Sequence, residues 1–335
     1  MGNPVLVEAV RGGRAESRHC GAVAVVDAGG RAVLALGDVE AAVYPRSAIK
    51  ALQALPLIES GAADRYRFGP EELALACASH GGEPGHVATV ERMLAAAGLD
   101  ATALQCGTHW PIHQPSAQAL ARSGAVAGAI HNNCSGKHAG FLCVACMIDA
   151  DRATYFKPDH LVQREVKSTL ESLTGAAIAD DACAIDGCSV PTWAVPLSNL
   201  ARAFARFGSG QGLAPSRAKA AMRLREACAA KPWHIAGTGR FCTEVMVAFG
   251  ARVFVKTGAE GVFCAALPDE GLGIAVKCDD GAGRAAEVMM AATIARFLKS
   301  DADRAALERF VRPTLRNWND LAVGSLRPTE ALTNE

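Results

Sequence analysis

The sequence predicts an α/β (α+β) fold in which an antiparallel sheet is built from both ends of the chain and a mostly helical segment is inserted between them. Short, valine-rich segments broken by glycine turns occupy the first forty residues, alanine- and leucine-rich segments of helical period fill the middle, and valine-rich segments return after residue 245. We assign 1–45 and 245–300 to the sheet and 46–244 to the helices, and treat 1–335 as a single catalytic unit.

The N-terminal part of the sheet is predicted from three segments, "VLVEAV", "GAVAVVDAGG" and "RAVLALGD". Each is short and rich in valine or alanine, and glycine-containing turns separate them. Segments of this kind joined by tight turns are typical of antiparallel strands. We therefore expect a meander of three strands.

The middle of the chain has the apolar spacing of helices, as in "PEELALACAS", "VATVERMLAAAG", "PSAQALARSGAVAG", "KHAGFLCVACMIDA" and "LSNLARAFARFG". Strands are predicted again in "ARVFVKTG", "GVFCAALPD" and "GLGIAVKCDD", and "GAGRAAEVMMAATIARFLK" predicts one long helix after them. We expect the last residues, 325–335, to be frayed.

Composition excludes several classes of partner. Lys and Arg number 34 and Asp and Glu number 34, so the chain lacks the basic excess that nucleic acid or an anionic membrane would attract. No apolar run approaches the about 18 residues of a membrane span, and the N-terminus does not resemble an export signal, so we expect a cytoplasmic protein. The 12 cysteines are scattered and are expected to be reduced thiols.

A candidate nucleophile and base stand in "YPRSAIKALQALPL", where Ser47 precedes Lys50 by three positions. Residues three apart are neighbours on a helix surface, so the hydroxyl and the amine can share a proton. Serine needs a base within hydrogen-bond reach, and a neutral lysine can fill that role. Because Ser-x-x-Lys also occurs by chance, the rest of the sequence has to support this interpretation.

A second motif, Lys256-Thr257-Gly258, lies on a predicted C-terminal strand. Ser-x-x-Lys at the first helix, a helical insert and Lys-Thr-Gly on a late strand is the order found in serine beta-lactamases and penicillin-binding proteins, and the sequence resembles that fold. The Ser-x-Asn motif expected between the two is not clearly present, and "CASHGGE" and "HNNCSGKHAGFL" stand in its place. This difference argues against activity on beta-lactams.

Five segments in order, "SAIKALQALPL", "CASHGGE", "HNNCSGKHAGFL", "DGCSVPT" and "VKTGAEG", closely resemble the rhizobial-type L-asparaginases, which share their fold with serine beta-lactamases and glutaminases. The resemblance implies hydrolysis of the side-chain amide of L-asparagine to L-aspartate and ammonia through an acyl-enzyme. It also implies a homodimer that acts on a small molecule.

The resemblance further implies two Ser-Lys pairs, Ser47 with Lys50 and Ser79 with Lys256, and we expect Ser47 to be the nucleophile. The motifs place candidate substrate-binding residues beside these pairs, and Arg240, after a glycine turn, is suited to binding a carboxylate. The candidate substrate-binding residues are His80, Gly81, Glu83, Asn133 and Arg240.

A zinc ion is also implied, held by the residues that match Cys134, Lys137 and Cys188. From the residues alone, Cys134 and His138 are one helical turn apart and Cys188 lies in a Gly-Cys turn, which offers soft ligands for Zn²⁺. Lysine must lose a proton before it can bind a metal, so His138 is kept as an alternate or outer ligand, and Asp186 is expected to orient the site.

Two other functions stay open at this point. One is a glutaminase or another amidohydrolase of the same fold, because one methylene changes binding by only about 1 to 3 kcal/mol. The other is a non-catalytic member that binds amino acids, against which the intact Ser47, Lys50, Ser79 and Lys256 argue.

Overall fold

The computed structural model describes residues 2–333. The strands are β1 (Val5–Arg11), β2 (Arg14–Asp27), β3 (Ala32–Leu36), β4 (Ala42–Val43), β5 (Cys183–Ile185), β6 (Pro191–Trp193), β7 (Val195–Pro196), β8 (Phe254–Thr257), β9 (Val262–Leu267), β10 (Leu272–Cys278), β11 (Thr314–Arg316) and β12 (Ala322–Pro328).

The α-helices are α1 (Lys50–Gln53), α2 (Leu55–Glu59), α3 (Ala62–Arg65), α4 (Pro70–Ala76), α5 (Pro84–Ala96), α6 (Gln114–Arg122), α7 (Ser135–Met147), α8 (Leu161–Thr174), α9 (Leu197–Ser209), α10 (Pro215–Ala230), α11 (Pro232–Ala236), α12 (Phe241–Phe249), α13 (Gly283–Phe297), α14 (Asp301–Val311) and α15 (Glu330–Thr333). Short 3-10 helices cover Arg46–Ile49, Ala101–Ala103, Ala129–His131, Asp180–Ala182 and Gly250–Arg252.

The chain forms two compact units. The sheet unit contains the chain up to Ala48, Val195–Gly212 and the chain from Val255 onward, and the helical unit contains Ile49–Ala194 and Leu213–Phe254. Helix α9 belongs to the sheet unit because it packs on β2, β9 and β10.

The sheet unit is organised around an eight-stranded antiparallel sheet with the order β11-β12-β1-β2-β10-β9-β8, in which β3 also pairs with β2. The predicted meander of β1, β2 and β3 is confirmed, as is the joining of both chain ends in one sheet. All six residues of β9 are buried, which requires cover on both faces, and α9 and α13 both pack on this strand.

The helical unit is built around α7, in which eleven of the thirteen residues are buried. Helices α2, α3, α4, α5 and α8 pack on α7, and α10 packs on α2 and α4. A helix buried on nearly every side belongs in a core.

None of the helices in the part of the chain that the structure describes is long and apolar enough to cross a membrane.

Two local expectations are wrong. Ser47 and Lys50 do not lie on one α-helix: Ser47 is in a 3-10 helix, α1 begins at Lys50, and the chain then restarts as α2, since Pro56 cannot continue a helix that began at Lys50. The C-terminal segment is not frayed either, because β12 pairs with β1 from Val7↔Pro328 to Val10↔Ser325 and α15 follows it. Residues 334–335 of that expectation lie outside the described residues.

The contact between α9 and β10 depends on Gly273. A Cβ at this position would lie 1.9 Å from the Ala201 oxygen and 2.3 Å from the Ala205 nitrogen, which are both backbone atoms of α9. Backbone atoms cannot turn aside as a side chain can, so the helix itself would have to move away from the sheet.

We therefore expect Gly273→Ala to lower the free energy of unfolding by about 1 to 3 kcal/mol through overpacking. The measurement is the urea midpoint followed by circular dichroism. Gly283→Ala is the matched control, because its Cβ would meet no atom within 4 Å and it stands at the start of α13. An unchanged midpoint for Gly273→Ala would show that α9 does not approach β10 so closely.

Candidate active site

The segment from Ser79 to Glu83 is a buried loop between α4 and α5. A buried loop must find partners for its backbone, and the N–H of Ser79 donates to the Ile235 oxygen at 2.9 Å while that of His80 donates to the Asn133 oxygen at 3.3 Å. The loop is therefore held on both sides, by α11 and by the segment before α7.

Lys50 is fully buried, and its amine lies at the centre of this arrangement. The Nζ atom donates to the Ala78 oxygen at 2.6 Å, to Ser79 Oγ at 3.0 Å and to the Asn133 oxygen at 3.3 Å. An ammonium has three donors, and the structure offers an acceptor for each. The sequence paired Lys50 with Ser47, and within the helical unit the structure brings it to Ser79.

His80 fixes the loop through both ring nitrogens. Its Nε2 lies 2.9 Å from Ser135 Oγ, and its Nδ1 accepts the N–H of Gly82 at 3.1 Å. Burial, and then the neighbouring His86 and Lys50 groups, hold the pKa of His80 well below its ordinary value, so the ring is neutral. The ring stacks on His86, which stacks on Trp233 at 3.9 Å between centroids.

Glu83 joins the same loop to the turn after α11. Its carboxylate accepts the N–H of Thr238 at 2.9 Å and the Thr238 hydroxyl at 2.7 Å. Gly237 has φ +105° and an added Cβ would lie 2.3 Å from Glu83 Oε1, so this turn needs glycine to reach the carboxylate. Sequence reasoning missed Thr238, and the Gly-Thr-Gly turn was the signal that could have indicated it.

The remaining residues assigned to substrate binding are spread around this loop. The oxygen of Gly81 accepts the N–H of His113 at 2.9 Å, and the N–H of Asn133 donates to His109 Nε2 at 2.9 Å. Arg240 is half-buried and precedes α12. Within residues 2–333 its guanidinium makes no hydrogen bond or ion pair, which leaves it available to an anion.

A second buried cluster lies beside Asn133 and contains Cys134, Lys137 and Cys188. Lys137 Nζ donates to Cys188 Sγ at 3.0 Å. A hydrogen bond from Cys188 outweighs burial and, with the charges of Lys50 and Lys137, lowers the pKa of Cys134 well below its ordinary value. The same hydrogen bond, together with burial, raises the pKa of Cys188. The two sulfurs are therefore coupled, and the Cys134 sulfur also donates to Asn133 Oδ1 at 3.2 Å.

Lys137 is the cation beside the two sulfurs. Burial alone would lower the pKa of its amine, but the charges of Cys188, Cys134 and Asp186 together outweigh burial and raise it. The structure thus brings together the three residues assigned to zinc and sets Asp186 close enough to act on them electrostatically.

His138 contacts Tyr155 and not the two cysteines of this cluster. Its Nδ1 lies 2.6 Å from the hydroxyl of Tyr155, and burial, followed by the charges of Lys137 and Lys50, lowers its pKa so that it is neutral. In the described part of the helical unit, His138 and the two cysteines do not bring three ligand atoms within 4.8 Å of one another.

The sheet unit carries Ser47 and Lys256. Arg46 has φ +51°, a left-handed conformation that is uncommon outside glycine and directs the chain into the 3-10 helix with Ser47. A Cβ on Gly258 would lie 2.7 Å from the Pro45 oxygen, so the Lys-Thr-Gly strand end runs directly beside the turn that holds Ser47. Lys256 is fully buried, and its Nζ donates to the Thr257 oxygen at 2.8 Å.

The sequence model of L-asparaginase II matches residues 7–328 of this chain. No curated protein sequence is a match to it. Among solved structures, a beta-lactamase from Mycobacterium bovis is similar with 16% identity over 78% of this chain and 88% of that one, at a TM-score of 0.36. A candidate beta-lactamase from Bacteroides dorei is similar with 13% identity over 77% of this chain and 84% of that one, at a TM-score of 0.39.

The family is assigned from the sequence match, which spans nearly the whole chain and agrees with the family that the five motifs indicated. The chain belongs to the L-asparaginase II family.

Proposed function

We propose that this protein hydrolyses the side-chain amide of L-asparagine to L-aspartate and ammonia by a Ser-Lys mechanism. Membership of the L-asparaginase II family supports the substrate. The observation that carries the mechanism is the contact of the buried Lys50 amine with Ser79 Oγ at 3.0 Å.

Lys50 is suited to be the base in this proposal. The oxygens of Ala78 and Asn133 accept two of its N–H groups. The third tetrahedral position of the amine nitrogen therefore faces Ser79 Oγ. When the amine is neutral, the same two carbonyls still hold it and its lone pair faces the hydroxyl proton. No movement of the side chain is needed between the two protonation states.

The reaction balances with these groups alone. The serine oxygen attacks the amide carbon while its proton passes to the lysine amine. The carbon–nitrogen bond then breaks, and the lysine returns the proton to the leaving nitrogen, which departs as ammonia. Water attacks the resulting ester, the amine takes a proton from the water and gives it to the serine oxygen, and aspartate is released.

Two serines are candidates for acylation. The contact with Lys50 supports Ser79. The family resemblance and the left-handed Arg46 before it support Ser47, and Lys256 stays the second lysine of the proposal. The free guanidinium of Arg240 is the proposed partner of the substrate α-carboxylate, because a planar guanidinium binds carboxylates with two hydrogen bonds.

We also propose that Cys134, Lys137 and Cys188 hold a zinc ion. The donor set fits the metal, since two sulfurs and a nitrogen are gathered, and three protein ligands leave a fourth position open. Binding requires Lys137 to give up its proton. Zinc would supply Lewis acidity at that position. A homodimer and a cytoplasmic location stay predictions.

Lys50→Arg should lower kcat for ammonia release from L-asparagine by at least about 10²-fold, because arginine keeps the charge but cannot accept the serine proton. Lys219→Arg, on an exposed position of α10, is the control and should keep the parent kcat. Circular dichroism checks that both variants fold. An arginine variant with parent activity would exclude Lys50 as the base.

Ser79→Ala should likewise lower kcat by at least about 10²-fold, since the proton partner of Lys50 is lost. Acid quenching of the parent during turnover, followed by peptide mass mapping, should find the aspartyl ester on Ser79 or Ser47, and Ser123→Ala serves as an exposed control. Full activity in both Ser79→Ala and Ser47→Ala would refute the Ser-Lys mechanism.

Cys134→Ala/Cys188→Ala should lower the zinc content of the purified protein by about one ion per chain, because the two thiolates are its strongest ligands. Elemental analysis measures this. Cys146→Ala/Cys183→Ala, which changes two half-buried thiols elsewhere, should leave the content unchanged. Equal zinc in all three proteins would place the metal elsewhere.

A further inference from the structure

The sheet unit contains a second group of metal-ligating side chains, His19, Cys278 and Asp280. One ligand atom from each lies within 4.8 Å of the other two, and no other set of three or more His, Cys, Asp or Glu residues does so within residues 2–333. The group lies entirely in the sheet unit and shares no residue with the candidate active site.

The fold brings these residues together through the pairing of β2 with β10. Cys278 is the last residue of β10 and pairs with Gly21, two positions after His19. The N–H of Asp279 then donates to the Cys20 oxygen at 2.9 Å, which holds the turn before α13 against β2. Asp280 follows in that turn, so its carboxylate faces the imidazole and the thiol.

The contacts within the group centre on the carboxylate. His19 Nδ1 lies 2.6 Å from Asp280 Oδ2, and the Cys278 thiol donates to Oδ1 at 2.9 Å. Oδ1 also accepts the N–H of Ala282 at 3.0 Å. His19 Nε2 is buried and finds no partner in the described part of the chain, so Asp280 alone orients the polar atoms of the ring.

Burial leaves this group open on one side only. His19 is 5% exposed and Cys278 is 0% exposed, whereas the side chain of Asp280 is 49% exposed. An ion could thus enter beside the carboxylate and be held from within by the nitrogen and the sulfur. The open side would leave room for a water ligand.

We propose that His19 Nδ1, Cys278 Sγ and the Asp280 carboxylate bind a Zn²⁺ ion. Nitrogen, thiolate and carboxylate ligands are the set that zinc takes in proteins. In a tetrahedral site with bonds of about 2.0 to 2.3 Å the ligand atoms are roughly 3.3 to 3.6 Å apart, so the present contacts need to widen by less than about 1 Å. The ion replaces the thiol proton, which leaves to solvent, and binds the lone pair of His19 Nδ1 in the neutral tautomer that carries its proton on Nε2.

Bound there, the ion joins the middle of β2 to the end of β10 and the turn into α13. Because three separate segments are cross-linked in the folded protein and not in the unfolded chain, binding stabilises the sheet unit. The role is structural, and it does not depend on the proposed hydrolysis or on zinc at Cys134 and Cys188.

The test is a Co²⁺ titration of chelator-treated protein carrying Cys134→Ala/Cys188→Ala, which removes the other cysteine pair. We expect about one Co²⁺ per chain, a thiolate-to-cobalt charge-transfer absorption, displacement by Zn²⁺, and a higher Tm with Zn²⁺ than without it. Adding Cys278→Ala should abolish the absorption, and adding Asp280→Asn should weaken Co²⁺ binding at least tenfold.

Asp279→Asn is the matched control, because it makes the same charge change one position earlier and should leave binding intact. If the cysteine variants fail to fold, Asp280→Asn and Asp279→Asn are compared in the otherwise unaltered chain, where only the former should lose one bound Co²⁺. Absence of the charge-transfer absorption in the background variant, or equal binding by the two aspartate variants, would overturn the proposal.

Discussion

The buried amine of Lys50 is the constraint on which the candidate site depends. A cation taken out of water is costly unless it is surrounded by acceptors, so the oxygens of Ala78 and Asn133 have to converge on one point. These oxygens belong to the end of α4 and to the segment before α7, so satisfying the amine dictates where both helices lie. Gly136 permits the approach, since a Cβ there would lie 2.4 Å from the Leu75 oxygen.

The start of α7 links the two buried clusters of the helical unit. Asn133 accepts from Lys50, Ser135 contacts His80, and Cys134 and Lys137 belong to the sulfur cluster. Thiolates are stabilised at helix N-termini, where unpaired N–H groups carry partial positive charge. The two clusters therefore share the turn that begins α7.

The sequence predicted the sheet, the helical insert and the family because these depend on local patterns, such as the valine-rich strands and the motif around Cys134. It could not predict that Lys50 meets Ser79, because the two are far apart in the chain and their contact depends on how α1 and α4 pack. Thr238 was not predicted either, because its hydrogen bonds to Glu83 also depend on how distant segments pack. The strand β12 was missed because Gly324, Ser325 and Pro328 interrupt its apolar residues, and pairing with β1 is what orders it.

The pairing of β1 with β12 has a consequence for biosynthesis. Val7 and Pro328 are partners, so one edge of β1 stays uncovered until β12 has been synthesised. Most of the helical unit, by contrast, is a continuous stretch that leaves the ribosome well before β8. Exposed strand edges can pair with other chains, and contacts of large sequence separation form slowly. The nascent protein therefore has its greatest need of a chaperone at the N-terminal meander.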